Sequence, residues 1–189
     1  MDSGIGCVVL AAGSSERLGQ PKALLRVGDG NLVSWLARRL LKQELEPVIV
    51  TNEQLFDDIL ESTGCEVICN PDPKSGRTGT VQLGIRRVGL APGRKFLIVP
   101  IDRPGFSDST LTSLLAANAT TCPASDGRGG HPLLLSEEDA YRILEVAPTV
   151  PLNELIEPVR IEVSDPHLHL NVDNPSDLVA LEEAFAELR

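Results

Sequence analysis

The sequence predicts an α/β fold of three layers, with helices on both faces of a mainly parallel, partly mixed sheet. Three observations carry that prediction. Short apolar, β-branched runs alternate with helix-like stretches along the whole chain, the pattern of βαβ units. The first run, GIGCVVL (4–10), shows no polar alternation, as a strand covered on both faces requires. No internal repeat, low-complexity tract or linker-like stretch interrupts the 189 residues. One domain over 1–189 is expected, long enough to bury a real core.

In order, the strand at 4–10 is followed by a small-residue loop. NLVSWLARRLLKQ (31–43) sets Leu32, Val33, Leu36, Leu40 and Leu41 on one helical stripe, with Asn31 as its cap. PVIVT (47–51) is a short strand. NEQLFDDILESTG (52–64) is a helix opened by Asn52 and stopped near Gly64. CEVICN (65–70) is a third strand. After a polar loop, TVQLGIRRV (80–88) reads as a helix and KFLIVPID (95–102) as a strand. DSTLTSLLAANA (108–119) is a helix capped by Ser107. PLLL (132–135), a helix capped by Ser136, strands VRIEV (159–163) and LHLNVD (168–173), and a helix over 176–188 complete the order. The two late strands are where mixed pairing is expected. Ligands of such sheets lie over the C-terminal strand ends, so the loops of interest are 11–22, 70–79, 100–106, 126–132 and 173–176.

The formal charge of −10 and pI of about 4.7 argue against nucleic acid and anionic membranes as partners. A small anion is still accommodated, because a few cations make a local positive site on a negative protein. The N-terminus has neither a basic n-region nor an apolar h-region, and no apolar run reaches the ~20 residues of a membrane span. Cys7, Cys65, Cys69 and Cys122 do not make a disulfide scaffold in a chain of this size. With His167 and His169 read as structural, no zinc set is expected. A cytoplasmic protein follows.

The first loop carries the strongest chemical signal. It is not a Walker A loop: Lys22 is followed by Ala23, and Gly13 and Gly19 are wrongly spaced. Nor is it a dinucleotide fingerprint, since Gly4 and Gly6 precede the strand. The G-x-S-x-G of a nucleophile elbow is missing too. What is left is a run of small residues, Ala11 to Ser15, whose amides approach an anion closely, with cations at Arg17 and Lys22.

The full string, AAGSSERLGQPK (11–22), resembles the signature of the molybdenum-cofactor nucleotidyltransferases: the molybdopterin guanylyl- and cytidylyltransferases and their MobA-like relatives. NPDPKSGRTGTVQLGI (70–85), IVPIDRP (98–104), GRGGHPLLL (127–135) and LNVDNPSDLVAL (170–181) resemble the later segments of that family, in the same order. The resemblance implies a Rossmann-like nucleotidyltransferase fold. It also implies a Mg²⁺-dependent enzyme that moves NMP from an NTP to a phosphorylated acceptor such as molybdopterin, releasing pyrophosphate.

Residue by residue, the resemblance assigns Lys22, Arg17 and Asp102 to catalysis. Leu10, Ala11, Ala12, Gly13, Ser14, Ser15, Lys22, Asn70, Arg77, Gly79 and Thr80 fall on the nucleotide, and Arg103 and His131 on the acceptor. Asp102 and Asp173 are the metal ligands. Relatives that use CTP tend to read Ala-Ala-Gly where this chain has Ala11-Ala12-Gly13, so CTP is expected over GTP. A downstream enzyme that receives the product is unknown. The chemistry suits the residues. A phosphate acceptor is already anionic and needs no strong base, which agrees with the lack of a nucleophile–base pair. What it needs is charge neutralisation.

Two departures bear on the acceptor. The molybdenum enzymes usually read Gly-Asp-Gln-Pro where this chain has Ile101-Asp102-Arg103-Pro104. The cytidylyltransferases carry Gly-Asp-x-Gly where this chain has APTVPLNELI (147–156). The acceptor therefore stays open between molybdopterin and a sugar-, alditol- or other small phosphate. A nucleotide-binding module without turnover is the reading from a different class.

Overall fold

In the computed structural model, residues 4–13 and 15–188 are described. The strands are β1 (Ile5–Leu10), β2 (Arg26–Val27), β3 (Gly30–Asn31), β4 (Pro47–Thr51), β5 (Glu66–Cys69), β6 (Lys95–Pro100), β7 (Thr121–Ser125), β8 (Arg128–Gly129), β9 (Leu133–Leu135) and β10 (Val159–Glu162). The helices are α1 (Leu32–Lys42), α2 (Phe56–Thr63), α3 (Arg77–Val88), α4 (Asp108–Leu115), α5 (Glu137–Leu144), α6 (Leu152–Leu155) and α7 (Leu178–Glu187).

The main sheet runs β10-β7-β9-β6-β1-β4-β5, with β8 paired to β7; β2 and β3 form a separate hairpin. Pairs β1–β4, β1–β6, β4–β5 and β7–β10 are parallel. Strand β9 lies antiparallel between β6 and β7. The mixed pairing thus arises from β9 and from β8.

The core divides as the sequence predicts. Alternate residues of β1 enter opposite layers: Cys7 and Val9 join the cluster of α1, α2 and α7, while Val8 and Leu10 join that of α3 and α5. Helix α1 is fixed at its start by a capping box. Asn31 Oδ1 accepts the Ser34 N–H at 2.9 Å, and the Asn31 N–H donates to Ser34 Oγ at 3.1 Å. Helix α3 lies directly on β1, because a side chain at Gly84 would overlap Val8. No helix among the described residues is long and apolar enough to cross a membrane.

The structure departs from the sequence reading at several elements. LHLNVD (168–173) is not a strand. Its alternation buries Leu168 and Val172, but the backbone closes turns instead of a ladder, with Leu168 N–H to Asp165 O at 3.2 Å and Leu170 N–H to His167 O at 2.9 Å. Strand β7 was not expected, because Pro123 stands in it and proline cannot donate to a ladder. The proline is tolerated where pairing with β9 has ended at Thr121 and pairing with β8 has yet to begin at Ala124. Helix α3 starts at Arg77, not 80, and α4 stops at Leu115. The single turn α6 has no periodicity to announce it.

Candidate active site

Leaving β1, the chain stays buried for two residues. The Ala11 N–H donates to Val50 O at 2.8 Å, and Thr51 Oγ1 donates to Ala11 O at 3.2 Å. The loop then turns outward at Gly13. Ser14 lies outside the described residues. Ser15 takes a left-handed backbone, φ 53°, and its Oγ accepts the Lys22 N–H at 3.1 Å. That bond closes the loop on itself. Lys22 opens a short 3-10 turn whose next residue, Ala23, is buried, so the ammonium projects from an anchored backbone.

Opposite the loop, β6 delivers Pro100, Ile101 and Asp102. The Ile101 N–H donates to Leu10 O at 3.1 Å, and Asp102 O accepts the Val172 N–H at 2.9 Å. The second bond brings the 168–173 segment alongside, placing two carboxylates together. Lys22 Nζ lies 2.7 Å from Asp173 Oδ1 and 3.8 Å from Asp102 Oδ2. Arg17 reaches Asp173 Oδ2 at 2.6 Å. The Asp173 and Asn174 N–H groups donate to Asp177 Oδ2 at 2.9 and 2.7 Å, fixing the backbone beneath Asp173.

Arg17, Lys22, Asp102 and Asp173 line a cavity of about 410 Å³ together with Leu10, Ala11, Ala12, Gly13, Ser15, Arg77 and Thr80. It sits where the sheet order reverses, with β4 and β5 on one side of β1 and β6 on the other, the crevice that open α/β sheets use for ligands. The start of α3 also faces it through Gly76, Arg77 and Thr80, which turns the positive end of that helix toward the cavity. Gly76 has φ 122° and Pro148 O 3.3 Å from where a Cβ would stand, so the entry to α3 requires glycine. The lining carries Arg17, Lys22 and Arg77 against Glu16, Asp102 and Asp173. On a chain of net charge −10 this is a locally balanced site.

The Lys22 hydrogen bond, followed by the Lys22, Arg17 and Arg103 charges, holds the Asp173 carboxyl below the usual carboxylate range. The backbone N–H groups of Asn174 and Asp173 do the same for Asp177. Among the described residues no group of three or more His, Cys, Asp or Glu is placed to hold a metal. The candidate ligands are two, Asp102 and Asp173.

Other sequence-predicted residues are placed differently. Asn70 is buried; its amide donates to Thr80 Oγ1 at 3.0 Å and its carbonyl accepts the Asp72 N–H at 2.9 Å. It shapes the cavity from behind. Gly79 is packed under Pro148 and Ser75 and does not line the cavity. His131 lies in a second cavity, and Arg103 lines neither, although its charge acts on both His131 and Asp173.

Burial, then the Arg77 and Arg103 charges, push His131 down to about 4. An unfolded histidine titrates near 6.5. Between those values the unfolded chain binds the proton that the folded chain refuses, so stability falls as the pH falls, by up to ~3 kcal/mol. His131→Gln is expected to remove that part of the acid loss. Urea unfolding at pH 7 and pH 4.5 checks it: the stability drop of the variant should be smaller than that of the parent.

Sequence reasoning missed Arg39. It is 3% exposed, stacks on Trp35 and Phe106 at 5.2 and 4.6 Å, and donates to Pro104 O at 3.2 Å and Phe106 O at 2.6 Å. It thus braces the loop that follows Asp102. The available signal was its position three residues after Leu36 and seven after Leu32, on the apolar stripe of α1.

The model of the MobA-like NTP transferase domain matches residues 7–163. The chain belongs to that family. The enzyme class comes with it: a nucleotidyltransferase. This MobA-like chain is 21% identical to the molybdenum cofactor cytidylyltransferase of Escherichia coli, over 98% of its own length and 100% of the relative's. It is 28% identical to the molybdenum cofactor guanylyltransferase of Rhizobium leguminosarum, over 99% and 96%. Among solved structures it is similar to a nucleotidyl transferase of Methanothermobacter, with a TM-score of 0.78, 19% identity, and 98% and 99% of the two chains covered. A Mycobacterium tuberculosis protein solved in complex with manganese matches the MobA-like fold at a TM-score of 0.71 and 18% identity, over 95% and 98%.

Proposed function

We propose that this chain transfers NMP, with CMP favoured, from a nucleoside triphosphate to a phosphorylated acceptor such as molybdopterin. The observation that carries the reading is the Lys22 ammonium, set between the Asp173 and Asp102 carboxylates in the cavity over β1 and β6. In the reaction an acceptor phosphate oxygen attacks the α-phosphorus. A new P–O–P bond forms, the bond between the α-phosphorus and its bridging oxygen breaks, and pyrophosphate leaves with that electron pair. The acceptor monoester is already anionic, so no strong base is called for.

Both substrates are negative and repel each other. Arg17 and Lys22 bind the phosphates, the amides of Ala12, Gly13 and Ser15 and the start of α3 orient them, the Ala11 amide being held by Val50 O, and Lys22 meets the charge that grows on pyrophosphate. Asp102 and Asp173 fit a divalent cation of the Mg²⁺ kind, which needs only one or two carboxylates and takes its other ligands from phosphates and water. Such a cation would supply further positive charge to the triphosphate and the leaving group. The manganese complex of the mycobacterial neighbour supports a divalent metal, and the two curated relatives support cytidylyl or guanylyl transfer. The free thiols of Cys7, Cys65, Cys69 and Cys122 suit a cytoplasmic setting.

Pyrophosphate release tests the reading, with the four triphosphates crossed against molybdopterin and ribitol 5-phosphate. Metal-dependent release that requires an acceptor is expected. Release from no pairing would leave a binding module.

CTP is expected to bind more tightly than GTP. Ala12 is 5% exposed and lines the cavity; its methyl takes room that a pyrimidine spares and a purine needs. A steric difference of this kind is worth ~1–3 kcal/mol. Thermal-shift titration with Mg²⁺ and each triphosphate should show the larger shift with CTP, and Ala12→Gly should narrow the gap.

A further inference from the structure

Asp102 and Asp173 come from distant parts of the chain, and three contacts couple the segments that carry them. The Val172 N–H donates to Asp102 O at 2.9 Å. Gly105 packs so closely on the backbone of His167 that an added Cβ would overlap the His167 carbonyl. The Ser107 N–H donates to Oδ2 of the buried Asp165 at 2.8 Å. Residues 104–107 are therefore the seam between the two segments. Arg39 reaches this seam from α1. Its Nη1 donates to Pro104 O at 3.2 Å, its Nη2 to Phe106 O at 2.6 Å, and its Nε and Nη2 to Asp108 Oδ1 at 3.3 and 3.0 Å. Burial lowers the Arg39 pKa, and Asp108 and then Asp165 oppose that shift. One of these carboxylates follows Asp102 and the other precedes Asp173. An apolar side chain between Trp35 and Phe106 would fill the space without burying a charge. What arginine adds is a rigid fork that spans two carbonyls and a carboxylate at once.

From these contacts we infer that Arg39 is a positioning residue for the metal site: by fixing residues 104–108 against 165–168 it sets the gap between the Asp102 and Asp173 carboxylates. This rests on the reading of those two side chains as ligands of a divalent cation. Both lie about a single ammonium, with Lys22 Nζ 2.7 Å from Asp173 Oδ1 and 3.8 Å from Asp102 Oδ2. They are thus close enough to serve one cation, and a small slip along the seam would part them. A cation of the Mg²⁺ kind demands near-ideal geometry. Groups that orient its ligands without touching it typically change its affinity about tenfold to a hundredfold. Arg39 itself lies outside the lining of the phosphate cavity, so its effect on the reaction passes through the carboxylates.

Titration of the full chain with Mn²⁺ at saturating CTP, followed by the paramagnetic resonance signal of free Mn²⁺, tests this without turnover. Arg39→Met, which keeps an apolar chain between the two rings, should weaken Mn²⁺ binding about tenfold or more. Arg39→Lys should recover part of that loss. Raised Mg²⁺ should restore much of the turnover of Arg39→Met, while KM for CTP at saturating metal changes little. Asp108→Ala, at an exposed position, loosens the same fork and should weaken Mn²⁺ in the same direction; it decides the matter should Arg39→Met fail to fold. A purely structural role would lower thermal stability and leave the Mn²⁺ affinity of the folded variant as in the parent. That result in Arg39→Met, or in Asp108→Ala in its place, would overturn the inference. Asp102→Asn in the same titration separates the two claims. If it weakens Mn²⁺ and the Arg39 variant does not, the positioning role alone fails. If the parent holds no Mn²⁺, or Asp102→Asn holds it equally well, the metal reading fails and takes this inference with it.

Discussion

Asp102→Asn is expected to lower turnover by about a thousandfold or more and to leave the fold in place. The backbone carbonyl of Asp102 holds the Val172 N–H at 2.9 Å, a bond that asparagine retains. The side chain packs into no core; it faces the cavity 3.8 Å from Lys22. The substitution therefore removes one negative charge and almost no volume. A carboxylate that holds a catalytic cation contributes several kcal/mol to the transition state, and each 1.36 kcal/mol is tenfold in rate. Pyrophosphate release and circular dichroism on the same sample check it. Near-normal turnover at saturating Mg²⁺ in a folded variant would remove Asp102 from the metal site.

Lys22→Ala is expected to lower kcat by about a hundredfold to a thousandfold, the range for losing one preorganised charge-stabilising donor, with a smaller change in KM for the triphosphate. The ammonium is the main hydrogen-bond partner of Asp173 at 2.7 Å. Its loss leaves that carboxylate to Arg17, whose side chain is 73% exposed. Charge on the departing pyrophosphate grows only in the transition state, so a group that meets it acts on kcat. A raised KM with unchanged kcat would make Lys22 a binding residue only. Because Asp173 sits below the usual carboxylate range, the contact contributes stability above the unfolded carboxyl pKa. That contribution is lost as the pH falls through the lower, folded value.

Most of the α/β architecture was legible because β-branched runs and capped amphipathic helices are local signals. The Asn31 cap, the stop at Gly64 and a first strand buried on both faces all stand in the sequence as they stand in the fold. The first loop was legible for a similar reason, since its small residues and two cations are contiguous. Long-range contacts were not legible. LHLNVD has the period of a strand, yet the Val172 N–H to Asp102 O bond makes it the arm that carries Asp173 into the site. Pro123 hid β7, and the bracing of the Asp102 loop by Arg39 depends on a crossing from α1 that periodicity does not reveal. The second cavity is walled by α3, β6, β9 and the 148–158 segment, which no single motif brings together.

The most direct test follows the atoms of CTP. With α-³²P-labelled CTP, Mg²⁺ and whichever phosphomonoester supports turnover, the label is expected in a covalent product with the acceptor, and the β- and γ-phosphates should leave together as pyrophosphate. Release of CDP with transfer of the γ-phosphate would contradict the account, because it would place the acceptor at the wrong end of the triphosphate relative to Lys22 and Asp102.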